Sequence, residues 1–262
     1  MSEPIYNTIG TGYNTTRRAD PYLAGRLFEL IKGKPDGLFL DIGCGTANYL
    51  VALEEKGMHF YGVDPSEKML SVARTKSSLA TFIQGKAEVL PMEENFFDGA
   101  MGNFTLHHWD NIQRGLQELY RVLKPDSNLV FLSFTPQQLL NYWLCHYFPK
   151  MMQLSSQVIP EWNVMETMLK NAGFQNISTE KYFVHDDLQD HFLYSNKRRP
   201  ERYLDPAVRN GASSFTAFST PEEVEAGLIA LEADIQSGKI NEVIQQYSDE
   251  LGDYLFIKAM KK

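Results

Sequence analysis

The sequence has 262 residues, and 25 Lys and Arg stand against 33 Asp and Glu, which gives a net charge of −8 at pH 7. This length provides a sizeable core, and the acidic balance excludes a mainly electrostatic binder of nucleic acid or membrane, which needs clustered cationic charge. Two cysteines make no disulfide framework, and the first residues lack the basic and then apolar pattern of a signal peptide, so a cytoplasmic protein is predicted. No apolar run is long enough to span a bilayer.

Short apolar runs alternate with segments of helical periodicity between Gly37 and Phe134. The predicted strands are 38–40, 59–63, 81–83, 99–101 and 129–132. The predicted helices are 47–53, a segment that starts near Pro65 and Ser66, and 112–123, which Lys124 and Pro125 stop. Strands that alternate with helices form βαβ units, so this half of the chain predicts an α/β fold with a parallel sheet.

The second half adds less regular segments to this core. Residues 137–152 are rich in aromatic side chains and methionine, and 161–172 predict an amphipathic helix. Two further strands are predicted at 176–184 and 254–257. Between them, Thr220-Pro221-Glu222-Glu223 is typical of a capping box at a helix start. We expect a lid segment at 136–160 and an inserted helical cap at 185–253. The apolar stripe of the helix that starts after Thr220 is expected to bury against the nearby sheet edge or, alternatively, to form a dimer interface.

A glycine-rich turn follows the first strand, in Asp41-Ile42-Gly43-Cys44-Gly45. Glycines at this place let the backbone turn tightly and approach a ligand closely. Asp64 ends the second strand, at about the spacing at which an acidic side chain accepts hydrogen bonds from ribose hydroxyls. The pattern therefore predicts a nucleoside-containing ligand.

Two features distinguish this turn from a dinucleotide-binding fingerprint. Asn48 stands where the third glycine would be, and the Asp41 carboxylate would repel a pyrophosphate seated on the following helix. A ligand with a cation at this place would instead be attracted. S-adenosylmethionine has no phosphate and carries an ammonium, a sulfonium, a ribose and an adenine. We expect Asp41 to face its amino end, directly or through water, and Asp64 to face its ribose.

Four segments in order carry a family resemblance: LDIGCGTANYL, GVDPSEKML, GKAEVLPMEENFFDGAMGNFTLHHWDN and ELYRVLKPDSNLVFLSF. Together they resemble class I S-adenosylmethionine-dependent methyltransferases, the type 11 group in particular, over roughly residues 5 to 184 and the C-terminal strand. The resemblance implies a Rossmann-like seven-stranded, mostly parallel sheet with helices on both faces, its last strand antiparallel. It also implies one methyltransferase domain over residues 1–262, into which the helical cap is inserted.

The resemblance further implies which residues bind the cofactor S-adenosyl-L-methionine. They are Tyr13, Arg17, Asp41, Gly43, Cys44, Gly45, Asp64, Pro65, Met69, Ala87, Glu88, Asn103 and Phe104. The glycines and Cys44 present backbone to the methionine part, and Asn103 and Phe104 touch that part. Lys86 departs from the family pattern, because many relatives have at this position an Asp that accepts from the adenine amino group. Glu88 or a backbone carbonyl would have to accept instead.

Three other groups of residues have a chemical and a structural interpretation. His107 and His108 are candidates to line the transfer site and accept a substrate proton, or else are a structural pair; on an extended chain they would point in opposite directions and bind no common metal. The acidic segment 185–191 is interpreted as a solvated loop rather than a metal site. The basic run 197–202 is interpreted as a solvated face, with a seat for an anionic substrate group as the alternative.

Methyl transfer from a sulfonium is a direct displacement, so the protein mainly aligns the acceptor and excludes water. We therefore expect a methyltransferase that acts on a small-molecule acceptor, as a monomer or homodimer, without metal, nucleic acid or membrane. The aromatic stretch 142–148 is either cap core or the wall of an apolar substrate pocket. The alternatives are a catalytically silent S-adenosylmethionine-binding protein and a nicotinamide-dependent oxidoreductase. The acceptor and the methylated atom are not predicted.

Overall fold

The computed structural model describes residues 17–247 and 250–262. Seven strands form one sheet in the order β3-β2-β1-β4-β5-β7-β6. The strands are β1 Leu38–Ile42, β2 His59–Asp64, β3 Thr81–Gln84, β4 Phe97–Asn103, β5 Leu123–Ser133, β6 Gln175–Tyr182 and β7 Tyr254–Met260. Strands β1 to β5 pair in parallel, and β7 runs antiparallel to both β5 and β6. The predicted α/β fold is confirmed.

Helices cover the sheet and form the segments outside it. Those next to the sheet are α1 Pro21–Ile31, α2 Asn48–Glu54, α3 Glu67–Lys76, α4 Ile112–Val122 and α8 Trp162–Ala172. Those outside it are α5 Pro136–Leu140, α6 Leu144–Tyr147, α7 Pro149–Ser156, α9 Pro206–Asn210, α10 Ser213–Phe218, α11 Pro221–Ser237 and α12 Ile240–Gln246. Two short 3₁₀ turns lie at Leu106–His108 and Pro200–Leu204.

The apolar core is divided by the sheet into two clusters. One cluster joins α4 and α8 to the sheet, and includes Leu116, Leu119 and Leu169, all fully buried. The other joins α1 and α2 to the lid and the insert, so that Leu27, Trp143 and other buried residues of all these segments share one core. The lid and the insert are therefore continuous with the body of the protein.

Aromatic side chains connect the lid with the insert. The hydroxyls of Tyr142 and Tyr203 lie 2.7 Å apart, and the Trp143 indole donates to the backbone carbonyl of Lys197 over 2.9 Å. The Tyr194 hydroxyl donates to the Gln138 carbonyl over 2.8 Å. All four rings are buried. Most of the aromatic stretch 142–148 is therefore cap core, which was one of its two predicted roles.

Helix α11 begins as its sequence predicts, but it packs elsewhere than expected. Thr220 accepts from the Glu223 amide, whereas the Glu223 carboxylate accepts from the amides of Lys150 and Met151 instead of completing a capping box. We expected the apolar stripe of this helix to bury against the sheet edge. Its main contacts are instead with α6, α12 and the turn at Pro200–Leu204, because Gly227 lets it approach the lid closely.

Within the described residues, no helix combines the length and apolar character that crossing a bilayer requires.

Candidate functional site

The carboxyl ends of β1, β2 and β4 border a cleft that encloses about 710 Å³. We call it the strand-end cleft. It is lined by Ile42, Gly43, Gly45, Val63, Asp64, Pro65, Met69, Gly85, Lys86, Ala87, Glu88, Asn103, Phe104, Thr105, His108, Trp109 and Asp110. Parallel strands bring their carboxyl ends to one edge of the sheet, which explains why residues so distant in sequence meet here. Nine of the predicted cofactor residues line this cleft.

The glycine turn has the backbone conformation that its sequence predicts. Gly43 and Gly45 have φ of +70° and +53°, a region that L side chains rarely adopt. A Cβ on Gly43 would lie 2.0 Å from the Thr105 hydroxyl oxygen, whereas a Cβ on Gly45 would meet no atom within 4 Å. Gly43 is thus required by packing against Thr105, and Gly45 by its conformation beside the open cleft.

The Asp64 side chain connects the glycine turn to the end of β2 through hydrogen bonds. Its two carboxylate oxygens accept from the amides of Gly45 and Ser66, at 2.9 and 2.8 Å. Burial raises the pKa of this carboxyl, and the two amide hydrogen bonds oppose the shift. Because a carboxylate has about four acceptor positions, Asp64 can accept further hydrogen bonds from the cleft.

Lys86, at which the sequence differs from the family pattern, also lines the strand-end cleft. The Lys86 ammonium lies 2.6 Å from the Asp110 carboxylate, and the Glu88 carboxylate accepts from the Asn111 amide over 2.9 Å. Glu88 and Asp110 line the cleft as well. The acceptors in this part of the cleft are therefore supplied by carboxylates beside a lysine.

A smaller cavity lies beside the glycines, and we call it the glycine-turn cavity. It is lined by Arg17, Asp41, Gly43, Cys44, Gly45, Thr46, Asn48, Tyr49, Asn103 and Asp190. Burial, and to a lesser extent the Asp64 charge, raises the pKa of Asp41 to about 8. A carboxyl in this state becomes charged readily only when a cation reaches it. Burial also raises the pKa of the Cys44 thiol, which favours the protonated thiol over the thiolate that a nucleophile would need.

Arg17 is held in this cavity by a residue of the insert. Its guanidinium donates to both oxygens of Asp190, at 2.5 and 3.2 Å, and the Tyr49 hydroxyl donates to the same carboxylate over 3.0 Å. The Asn48 amide donates to the Arg17 carbonyl over 3.1 Å. Asn48, which replaces the third glycine of a dinucleotide fingerprint, thus anchors this residue.

Two interpretations of charged segments need correction. The acidic segment 185–191 is not fully solvated, because Asp190 is 1% exposed and paired with Arg17. The basic run is only partly solvated, since Lys197 pairs with the buried Asp253. In the part of the chain that the structure describes, no three His, Cys, Asp or Glu side chains are arranged to hold a metal ion.

A third cavity, of about 610 Å³, lies between the sheet, the lid and the insert. We call it the aromatic cavity. It is lined by Arg17, Phe104, His107, Phe134, Leu139, Ser155, Val158, Phe192, Leu193, Gly211, Ala212, Ser213, Ser214, Phe218 and Tyr254. Five of these residues are Phe or Tyr, and most of the others are apolar or small. The cavity therefore suits an apolar ligand.

Phe104 lies at the boundary between the aromatic cavity and the strand-end cleft, since it lines both. Its φ of +52° is unusual for so bulky a residue, and its amide donates to the Leu132 carbonyl over 2.8 Å. Its ring packs against Phe192 and Tyr254, with centroid distances of 4.8 and 5.0 Å. Strained backbone of this kind persists where surrounding contacts hold it, often at a functional site.

His107 and His108 were expected on an extended segment, and this expectation is wrong. They lie in the 3₁₀ turn Leu106–His108, where their ring centroids are 3.9 Å apart. His107 nevertheless lines the aromatic cavity and His108 the strand-end cleft. The His107 Nδ1 atom is buried without a hydrogen-bond partner among the described residues, as is the Asn103 side-chain oxygen. Both atoms are free to bind a ligand.

The structure thus groups the predicted site residues, apart from one, around two adjoining spaces. Arg17, Asp41 and Cys44 line the glycine-turn cavity, and the remaining predicted cofactor residues line the strand-end cleft. Tyr13 lies outside the described residues. Sequence reasoning missed Tyr49 and Asp190. Asp190 lies 141 residues from Tyr49 and 173 residues from Arg17, and no local pattern signals either contact.

Comparison with known proteins agrees with this geometry. The sequence profile of a family described as "Methyltransferase domain" matches residues 40–131. The chain is 30% identical over 173 residues to the demethylmenaquinone methyltransferase of Listeria welshimeri, covering 56% of this chain and 72% of that protein. It is 28% identical over 170 residues to the enzyme of the same name from Oceanobacillus iheyensis, covering 55% and 71%.

A solved structure is similar over nearly the whole chain. It is a provisionally assigned methyltransferase from an antibiotic biosynthesis pathway of Anabaena variabilis, with a TM-score of 0.81 and 29% identity. The match covers 94% of this chain and 99% of that protein, so it includes both the lid and the insert.

Proposed function

Because this chain belongs to the class I S-adenosylmethionine-dependent methyltransferases, we propose that its strand-end cleft binds the adenosine part of the cofactor and its glycine-turn cavity the amino-acid part. The enzyme transfers a methyl group from S-adenosylmethionine to a small-molecule acceptor. Family membership leaves no role for the nicotinamide-dependent alternative. What remains to be assigned is which residues act at each step.

The residues present suit this cofactor. No hydrogen bond reaches the Asp41 carboxyl from the described residues, and the carboxyl lies where an ammonium would ionise it. Arg17 lies in the same cavity, where its guanidinium suits the cofactor's carboxylate. The buried Asn103 oxygen, which has no partner, lies where both spaces meet and can accept from the amino group. Asp64 is placed to accept from the ribose hydroxyls.

When bound, the cofactor supplies an activated methyl group on a sulfonium. The protein's own residues bind and orient it through Asp41, Arg17 and Asp64, and Phe104 separates it from the aromatic cavity while leaving the two spaces adjacent. Apolar walls of the lid and the insert exclude water from the acceptor. Alignment and exclusion of water are the principal contributions that a direct displacement needs from a protein.

We propose that the acceptor binds in the aromatic cavity and is an apolar, ring-bearing molecule. The observation that carries this assignment is Phe104, which lines this cavity and the strand-end cleft at once. The names of the Listeria and Oceanobacillus relatives, demethylmenaquinone methyltransferases, support an apolar ring as the acceptor. The insert 185–253 and the lid 136–160 would then act as the walls that select it.

The experiment that tests this assignment is a methyl-release screen over a metabolite library, read as formation of S-adenosylhomocysteine. Phe218→Trp would reduce the volume of the aromatic cavity from the insert side, and Phe218 is not one of the residues assigned to the cofactor. We expect it to reduce turnover of any acceptor found by at least about tenfold while cofactor affinity in calorimetry stays unchanged. Unchanged turnover in this variant would contradict the assignment of the cavity.

We also propose a cytoplasmic location, since both cysteines are free, and a monomer or homodimer as the working state. Cell fractionation and light scattering of the purified protein would test these two proposals.

A further inference from the structure

Two residues that line the aromatic cavity, His107 and Ser155, each carry a buried polar atom without a hydrogen-bond partner among the described residues. These atoms are the His107 Nδ1 nitrogen and the Ser155 hydroxyl oxygen. Ser155 as a whole is only 2% exposed. Buried polar groups are normally hydrogen-bonded, and leaving one unpaired destabilises the folded protein. Two such groups around one apolar cavity indicate that a ligand completes their hydrogen bonds.

The charges around the cavity restrict what that ligand is. Among the described lining residues no Asp, Glu or Lys occurs, so a cationic ligand would find no counter-charge. Arg17 is the one permanently charged side chain in that lining, and its guanidinium already forms a two-point ion pair with Asp190. The carboxylate of the cofactor is assigned to the same guanidinium, so an anionic acceptor would have to compete with two carboxylates for it. The cavity therefore favours an uncharged ligand.

We propose that the methyl acceptor is an uncharged aromatic compound whose hydroxyl group donates to His107 Nδ1 and accepts from the Ser155 hydroxyl. The inference rests on the proposed function, because it takes the aromatic cavity as the acceptor site. The aromatic ring packs among the phenyl groups of the cavity, and the hydroxyl satisfies both unpaired atoms. A carbonyl oxygen in the same place could accept from the Ser155 hydroxyl but has no proton to donate to His107 Nδ1, so one of the two atoms would stay unpaired.

The proposed step replaces an O–H bond and an S–CH₃ bond with an N–H bond and an O–CH₃ bond. The acceptor O–H bond breaks and its proton moves to His107 Nδ1, while the oxygen uses its electron pair to form the new O–CH₃ bond. The methyl–sulfur bond breaks and its pair stays on sulfur, so the sulfonium becomes a thioether. One positive charge thus leaves sulfur and one appears on the imidazole. The net charge of the site is unchanged.

The surroundings of His107 keep its ring neutral before the reaction. Burial, with the nearby His108 and Arg17, lowers the pKa of His107 well below its ordinary value. The ring is therefore neutral at physiological pH, so that Nδ1 can accept a hydrogen bond. The other titratable group of the cavity lining is Tyr254, and Asp190 is bound to Arg17. Loss of the sulfonium charge during the reaction removes a cation from the site and so favours the protonated ring.

The test measures binding of four matched probes to the protein saturated with S-adenosylhomocysteine: naphthalene, 2-naphthol, 2-methoxynaphthalene and 2-naphthoate. We expect 2-naphthol to bind about tenfold or more tightly than the methyl ether and the hydrocarbon, and 2-naphthoate to bind no better than these. Tighter binding of the naphthoate would overturn the uncharged acceptor. Equal binding of 2-naphthol, its ether and the hydrocarbon would overturn the hydroxyl.

Variants then assign the preference to the two residues. Ser155→Ala should reduce the preference for 2-naphthol about three- to tenfold. Ser156→Ala is the matched control, because the Ser156 hydroxyl already donates to the Gln153 carbonyl and the residue does not line the cavity. His107→Phe should reduce the preference to near one, and His107→Gln, which keeps a hydrogen-bond acceptor, should retain part of it. An undiminished preference in Ser155→Ala and in both His107 variants would overturn the assignment.

The same measurements separate this inference from the proposed function. Binding of all four probes without a hydroxyl preference leaves the aromatic cavity as an acceptor site but removes the hydroxyl acceptor. If none of the probes binds, the cavity is not an acceptor site and both proposals fail. Affinity for S-adenosylhomocysteine, measured by calorimetry in each variant, shows whether the protein remains folded and able to bind its cofactor.

Discussion

Asp41 is the residue at which the chemistry of the ligand and the stability of the protein conflict. Burial raises the pKa of this carboxyl to about 8, so the unliganded protein holds it largely protonated near pH 7. A hydrophobic residue at the same place would be more stable without a ligand. The presence of a carboxyl at this buried position is explained by the cationic ammonium that it is proposed to bind.

The first prediction concerns the pH dependence of cofactor binding. An ammonium that binds Asp41 must displace its proton, so binding near pH 7 should release close to one proton. Affinity should then rise with pH by up to about tenfold per pH unit, and level off near pH 8. Calorimetry in buffers of different ionisation enthalpy measures the proton release. Asp41→Asn should abolish both the release and the slope, and an unchanged count in this variant would contradict the role of Asp41.

The second prediction concerns stability without the cofactor. The pKa of Asp41 is higher in the folded than in the unfolded chain, so the folded protein binds more protons and its stability falls as pH rises from about 4 to 8. Asp41→Asn removes this loss of stability with rising pH. Its melting temperature should equal that of the wild type near pH 4 and exceed it by at least about 2–4 °C at pH 9. A variant that is less stable than the wild type at pH 9 would show that Asp41 has a stabilising partner.

The third prediction concerns Asp64, which has a structural role beside its proposed contact with the ribose. Asp64→Ala should weaken S-adenosylmethionine binding by about 1.5–3 kcal/mol, the range of charge-assisted hydrogen bonds. The sequence alone predicts little loss of fold in this variant. Because both oxygens hold backbone amides, we now expect a lower melting temperature as well. Unchanged affinity in titration calorimetry would contradict the ribose assignment.

The fourth prediction uses the difference between the two glycines of the turn. Gly45→Val places its side chain in the open cleft, so the protein should fold, at the conformational cost of a positive φ, and fail to bind the cofactor. Gly43→Ala places a Cβ against Thr105 and should mainly lower stability. Circular dichroism and calorimetry separate the two effects. Native cofactor affinity in a folded Gly45→Val would refute the close approach of the ligand to this turn.

At the scale of elements, the sequence was most informative where signals are local. The strand ends that carry Gly43, Asp64 and Asn103 follow apolar runs and a glycine turn, which a reader can recognise within about ten residues. The packing of α11 could not be predicted in this way. An apolar stripe indicates that one face of a helix is buried, but it does not identify the element against which that face packs. The contact of Asp190 with Arg17 could not be predicted from the sequence either, because it depends on how the insert folds back over the sheet.

This contact changes what we expect of the insert. The cofactor residues predicted from the sequence all lie outside residues 185–253, which predicts that a short Gly-Ser turn in place of the insert leaves cofactor binding nearly intact. Since Asp190 lies in the insert and positions Arg17, the insert contributes to the glycine-turn cavity. Removal of the insert should therefore impair both cofactor and acceptor binding.

The fifth prediction isolates this effect in one residue. Asp190→Asn keeps the shape of the side chain but removes the charge that orients Arg17. We expect cofactor affinity to fall about tenfold or more, because a buried guanidinium loses its carboxylate. Asp186→Asn is the matched control, since Asp186 pairs with Arg198 at the surface of the same segment. Equal affinities in the two variants would contradict a positioning role for Asp190.

At the scale of the whole molecule, the lid and the insert share one apolar cluster with α1 and α2. Buried aromatic hydrogen bonds, such as the one between Tyr142 and Tyr203, join segments far apart in sequence. The walls of the aromatic cavity therefore belong to the same cooperative unit as the cofactor site. This explains why point substitutions, rather than deletions, are the appropriate tests of the acceptor site.

The position of β7 between β5 and β6 has a consequence for synthesis on the ribosome. Strand β6 ends at Tyr182, and β7, with which it pairs in the sheet, begins at Tyr254. At about 5–20 residues per second, the nascent chain carries an unpaired β6 for roughly 4–14 s while the intervening residues are made. During that time β5 also has an open edge, to which another strand can add. The polar side chains of β6, including Glu180 and Lys181, would keep neighbouring nascent chains from joining through it.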